Sequence, residues 1–212
     1  MKGVPILVYH QVVDEDFDLN NVPVGDRSYY LRREAFAQQM EYLFHQGFKT
    51  LTLRDFFGFI KGDIQLPSKS IVLTFDDGHI SNYTHVYPIL RRFNFKATFF
   101  LIVEKIDKLQ VLKWIQIAQM VDNGLEIGSH TVTHPFLSDL KEEKVLWELK
   151  RSKEILETRL KKEIKDIQSK CAHLEYSLKF DGDGKSLRKI CKDCEQIVGY
   201  PTEQELKDNG FI

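Results

Sequence analysis

The sequence predicts an α/β fold built on a parallel sheet. Two observations carry that expectation. Short apolar, β-rich runs alternate with helix-patterned segments over residues 1–164 of the 212-residue chain, and the conspicuous polar residues each follow such a run directly. Strands covered by helices on both faces read as continuous apolar runs, because neither face meets water. Five such strands are visible, compatible with an open sheet or with most of a barrel.

The elements follow in order. Ile6–Tyr9 is an apolar run leading into His10. Residues 32–46 have helical apolar spacing at Phe36, Met40, Leu43 and Phe44, and Gly47 stops them. Residues 49–53 read as a short strand and 54–60 as a short helix. Ser70–Phe75 is a strand running into Asp76 and Asp77. Residues 83–93 read as helix despite Pro88, 97–103 as a buried strand, and 112–123 as a helix. Residues 125–129 are a strand running into His130, and 141–162 a long charged amphipathic helix. In barrels of parallel strands the site residues gather at the strand C-termini. His10, Asp76, Asp77 and His130 all occupy that position, so they are expected to share one pocket.

Composition narrows the partners. Charged residues make up 29% of the chain but nearly cancel, at net −1, so no electrostatic footprint for nucleic acid or an anionic membrane is present. No segment approaches the ~20 apolar residues of a membrane span. Residues 1–10 lack a long apolar region and a small-residue cleavage site, so they do not read as a signal peptide. The chain as written therefore reads as cytoplasmic, with a mature exported form also compatible. Its oligomeric state is not legible.

The chemistry lies in two motifs. Thr74-Phe75-Asp76-Asp77-Gly78 places two adjacent carboxylates at a strand end, where they cannot both be buried without partners. One can bind a metal while the other takes a proton from water. Alone, the motif would read as a solvated loop or as a helix N-cap formed by Asp77. His130-Thr131-Val132-Thr133-His134 offers two imidazoles four residues apart. Alone, that pair would read as structural. Together, two His and one Asp supply three ligands and leave coordination positions open, which is the composition of a catalytic divalent site.

The two motifs, about fifty residues apart, resemble the polysaccharide deacetylase family, also called the NodB-homology domain or carbohydrate esterase family four. Their surroundings agree: Asn82-Tyr83, Pro88-Ile89-Leu90, Lys96-Ala97-Thr98-Phe99-Phe100 and Glu126-Ile127-Gly128-Ser129-His130. The resemblance covers residues from about 4 to 164. It implies a distorted, incomplete (β/α) barrel that hydrolyses acetamides on sugars with a divalent metal. It further implies Asp76 as general base, and Asp77, His130 and His134 as metal ligands. Zinc is the expected ion, and cobalt, nickel and manganese accept the same donors. The implied substrate is an N-acetylglucosamine-containing poly- or oligosaccharide that loses its N-acetyl groups.

Two departures from the family pattern matter. Most members carry a general acid on a late Leu-x-His motif, which this chain lacks. A branch acting on exopolysaccharide has an N-terminal strand ending in Tyr-His, as in Tyr9-His10, and by that resemblance His10 is the acid. The late Arg-x-x-Pro-Tyr or Tyr-Pro-Tyr-Gly segment is also missing; Gly199-Tyr200-Pro201 is a superficial echo. The competing reading is a catalytically degenerate module that keeps metal and sugar binding. Tyr29, Tyr30 and Trp114 are candidate sugar-stacking rings, with ordinary packing the simpler role for each.

Residues 165–212 form a second region, a small hairpin appendage with its turn at Asp181–Gly184. All three cysteines lie there. Cys171, His173, Cys191 and Cys194 form two ligand pairs flanking the hairpin, and weakly resemble a zinc ribbon with a four-coordinate structural zinc. The alternative is a set of free thiols. Elemental analysis of the purified chain tests this. Two zinc equivalents are expected, falling to one in Cys191→Ser; a single equivalent unaffected by that change would remove the ribbon.

Overall fold

The computed structural model describes residues 3–170, 176–180, 187–191, 197–199 and 203–208. The chain divides into two units, residues 1–160 and 161–212. The boundary expected at 164/165 falls, like this one, within a single long helix.

In the first unit, five strands make one parallel sheet: β1 (Ile6–Tyr9), β4 (Lys49–Leu51), β5 (Ser70–Phe75), β6 (Thr98–Leu101) and β7 (Glu126–Ser129). Its order is β1-β5-β6-β7, with β4 pairing the N-terminal half of β5. Two further strands, β2 (Gln11–Val13) and β3 (Tyr30–Arg32), pair with each other in parallel. They were not read from the sequence, because three residues are too few to show an alternation. The helices are α1 (Arg33–His45), α2 (Leu53–Lys61), α3 (Tyr87–Arg92), α4 (Trp114–Asp122) and α5 (Glu142–Lys170). The mixed α/β architecture with its parallel sheet is that of an incomplete barrel.

The helix boundaries have local causes. The α2 N-terminus is closed by a capping box: the Thr52 hydroxyl accepts from Asp55 N–H, and the Asp55 carboxylate accepts from Thr52 N–H. Gly62, at φ 84, ends α2 in the left-handed region that glycine enters without a Cβ penalty. Pro88 does not break its helix because it sits in the first turn of α3, after a π-helical turn at Asn82–Val86. That turn is closed by Tyr87 N–H donating to the Asn82 carbonyl. Helix α5 runs to Lys170, beyond the expected residue 162.

The core sits between sheet and helices. Every residue of β5 is buried, as a central parallel strand requires. Tyr9, Phe75 and Phe99 stand in register across β1, β5 and β6 and stack, with centroids 5.1 and 4.7 Å apart. Phe36 of α1 meets Tyr9 and Phe75 edge-on at 5.4 and 5.8 Å. Burial pushes the Tyr9 phenol up to about 12, and its hydroxyl donates to Gln39. Met40, Leu90, Leu101, Ile117 and Met120 belong to the same buried core.

In the second unit, β8 (Tyr176–Phe180), β9 (Leu187–Cys191) and β10 (Ile197–Gly199) form an antiparallel sheet in the order β10-β9-β8, followed by α6 (Glu203–Asp208). The expected hairpin is the β8–β9 pair, with Phe180 opposite Leu187. Its turn, and Cys171, His173 and Cys194, lie outside the described residues; Cys191 is described only as the last backbone position of β9. No described helix is long and apolar enough to cross a membrane.

Phe75 joins the aromatic layer to the start of the site, so Phe75→Ala is expected to cost about 3–5 kcal/mol of unfolding free energy. Urea denaturation measures it; a loss under 1 kcal/mol would mean that the stack is not a principal support.

Candidate active site

The aromatic layer ends one residue before the chemistry. His10 follows Tyr9 and Asp76 follows Phe75, so the β1–β5 register delivers both to one end of the sheet. Asp76 N–H donates to the Tyr9 carbonyl at 2.9 Å, continuing the ladder past the strand ends. The Asn82 amide donates to the His10 carbonyl at 3.0 Å and ties that position to the π-helical turn.

After Asp76 the backbone reverses. Gly78 N–H donates to the Asp76 carbonyl at 2.9 Å, closing a three-residue turn around Asp77, whose φ is 69. Gly78 follows at φ 74, and a Cβ there would lie 2.8 Å from Leu101 Cδ2. The Gly78 carbonyl accepts from Leu112 N–H, pinning the turn to the next loop. This reversal aims the two carboxylates in different directions, so neighbours in sequence can do different jobs.

Strand β7 delivers His130, whose N–H donates to the Leu101 carbonyl. Gly128 is required beneath it, because a Cβ would fall 2.6 Å from the Phe100 ring. Thr131 and His134 both have positive φ, 68 and 63. A non-glycine residue in that region costs about 1 kcal/mol or more, so surrounding contacts must hold it. Thr131 Oγ1 accepts from His134 N–H at 2.9 Å, and the Thr131 and Val132 carbonyls accept from Val103 and Glu104 N–H.

The side chains converge. His130 Nε2 and His134 Nε2 are 3.1 Å apart, and lie 3.6 and 3.9 Å from Asp77 Oδ1. Donor atoms around one ion at about 2.1 Å would stand roughly 3.0–3.5 Å from each other. These three therefore fit a divalent cation after a small contraction. Burial pushes the His130 imidazole below its usual range against the pull of Asp76, which favours the neutral form that can donate a lone pair. Among the described residues this is the one cluster of His, Cys, Asp and Glu side chains close enough to share an ion.

Asp76 stands beside the cluster. Its Oδ2 is 3.8 Å from His10 Nε2. Burial pushes its carboxyl up, His130 and His10 pull it down, Asp77 pushes it up again, and the net displacement is upward. A carboxylate raised in this way is a better proton acceptor. His10 packs against the Tyr29 ring at 4.5 Å, which places one of the three candidate stacking rings at the site. Trp114 is buried in the core. Tyr30 stacks on Phe17 at 5.5 Å.

Sequence reading missed the supports of the site. Glu148 and Ser152 of α5 are fully buried; Glu148 reaches the His130–His134 segment and Ser152 meets Ser129 just before it. The signal was present: both occupy inward-facing positions between Val145 and Leu156, where the helical spacing calls for apolar residues.

Residues 63–168 match the polysaccharide deacetylase family, and the chain belongs to it. YxkH of Bacillus subtilis is 30% identical over 150 residues, which span 71% of this chain and 50% of that protein. The poly-beta-1,6-N-acetyl-D-glucosamine N-deacetylase of Escherichia coli is 28% identical over 146 residues, spanning 61% of this chain and 21% of that enzyme. The Streptococcus pyogenes deacetylase PplD, solved in complex with acetate, superposes with a TM-score of 0.65 at 26% identity, covering 74% of this chain and 69% of that one. The chain thus spans half or less of the length of these two curated relatives.

The Asp77 turn yields a direct prediction. Gly78→Ala combines a positive φ with a clash against Leu101, and is expected to lower stability by about 1–3 kcal/mol while weakening cation binding. Thermal melts with and without added zinc check it; a shift common to both conditions would confine the damage to packing.

Proposed function

We propose that the chain is a divalent-metal-dependent hydrolase that removes N-acetyl groups from N-acetylglucosamine-containing poly- or oligosaccharides. One observation carries this reading: a carboxylate, Asp76, stands outside the three-donor cluster yet next to it, paired with an imidazole from another strand. A module that only bound metal and sugar would have no use for a half-buried base beside the donors. The family membership supports the chemistry, and the Escherichia coli relative's named activity supports the substrate class.

Asp77, His130 and His134 would hold the ion, zinc being the favoured candidate. A cation bound there supplies Lewis acidity, which acidifies water and polarises an acyl carbonyl. Asp76 takes a proton from the attacking water as its oxygen bonds to the acetyl carbon. The amide C–N bond then breaks, and the leaving nitrogen takes a proton from the His10 imidazolium. The products are a free amine and acetic acid, which loses its proton to solvent as acetate. Asp76 ends protonated and His10 neutral, and exchange with solvent resets the pair. Tyr29 holds the His10 ring while leaving Nε2 facing Asp76. In this assignment His10 does the work of the absent late Leu-x-His motif.

The absence of the late motifs favours a second reading, a binding module without turnover. Acetate release from β-1,6-linked N-acetylglucosamine oligomers and from chitooligosaccharides separates the two. Metal-stripped protein is expected to be inactive and to recover with zinc, cobalt or nickel. Asp76→Asn should lower turnover by about 10²–10⁴-fold, and His10→Phe by a comparable factor. Stoichiometric metal binding with no acetate released from either substrate would transfer the assignment to the binding module. Unchanged turnover in His10→Phe would remove the acid role alone.

A further inference from the structure

The mechanism leaves one buried charge unused. Glu148, on α5, is fully buried. A carboxylate removed from water is retained only where donors replace its hydration. Here Oε2 accepts from Val132 N–H at 2.8 Å and from Thr133 N–H at 3.1 Å, while Oε1 accepts from the Thr133 hydroxyl at 2.7 Å. Lys144 Nζ lies 3.9 Å away on the same helix. Every donor except that lysine belongs to the three residues between His130 and His134.

The pattern of donors is specific. Two successive amides turned towards one oxygen make a small anion-binding concavity, a shape the backbone adopts only with unusual φ nearby. Thr131 and His134, the flanking residues, are the two residues of this segment with positive φ. One turn further along α5, Ser152 Oγ donates to the Glu148 carbonyl at 2.7 Å and accepts from Ser129 Oγ at 2.6 Å. Ser129 Oγ in turn accepts from Thr131 N–H at 3.0 Å. A single polar face of α5 therefore holds the segment directly at Val132 and Thr133, and at Thr131 through Ser129.

We infer that Glu148 is a positioning residue for the cation site: its carboxylate takes the place of an internal anion around which the segment folds, setting the 3.1 Å approach of the His130 and His134 Nε2 atoms. The inference rests on the proposed roles of Asp77, His130 and His134. Without Glu148 the two amides lose their acceptor. The left-handed residues then relax, and His134 withdraws from Asp77.

Cobalt titration of the metal-stripped full chain tests this, read by the visible ligand-field spectrum and by competition with a chelator. Glu148→Ala is expected to weaken cobalt binding about 10–100-fold and to alter the spectrum. Glu148→Gln keeps an amide oxygen for both N–H groups and should restore affinity to within a few-fold. Thr133→Val removes only the hydroxyl donor and should fall between them; if Glu148→Ala does not fold, this variant decides. Native affinity and spectrum in folded Glu148→Ala, or in Thr133→Val where it must decide, would overturn the inference. So would a loss in Glu148→Gln as deep as in Glu148→Ala. His134→Ala is the control: if it binds cobalt as the unmodified chain does, or if the unmodified chain binds none, the ligand assignment itself fails and the inference with it.

Discussion

The site depends on the register of three parallel strands. Tyr9, Phe75 and Phe99 can stack only if β1, β5 and β6 are aligned residue for residue. A slip of one position would turn every side chain to the opposite face. Because His10 and Asp76 are the next residues of their chains, the packing of three rings also fixes which polar groups meet. Large aromatic surfaces contribute heavily to burial and tolerate few geometries, so the least negotiable part of the core lies directly under the part that needs positional accuracy.

Above that layer the structure changes its means of support. The strands end, and position is kept by backbone turns held from outside. Asp77 depends on the Gly78 reversal and on Leu112; His134 depends on Thr131, Val103 and α5. This division suits a site whose side chains must converge on one point. The barrel supplies the approximate convergence, and hydrogen bonds to loops refine it. The polar stripe on α5 belongs to this second tier, which is why it interrupts an otherwise apolar helix face.

Much of this was legible in the chain itself. Apolar runs such as Ser70–Phe75 announce buried strands because full burial leaves no room for alternation. The placement of Asp76, Asp77 and His130 after such runs was enough to predict their convergence. What was not legible has physical causes. Strands β2 and β3 are too short for a period. Pro88 reads as a blemish until the π-helical turn before it is seen. Glu148 interrupts the apolar stripe that runs from Val145 to Leu156 on α5, but the stripe does not say which backbone donors the carboxylate meets, because Val132 and Thr133 are brought to it only by the folded chain.

The left-handed residues carry a wider consequence. Asp77, Thr131 and His134 hold conformations that isolated peptides of the same sequence would abandon, so neither motif owns its geometry. The donor cluster exists only while β5, β7, α5 and the intervening loops are assembled. It is a property of the native ensemble, and its occupancy and folding are thermodynamically linked. Any ion that prefers the clustered donors must draw the chain towards its folded state, and each local opening of the His130–His134 segment must release it. Occupancy of the cluster would thus follow whether this half of the barrel is intact.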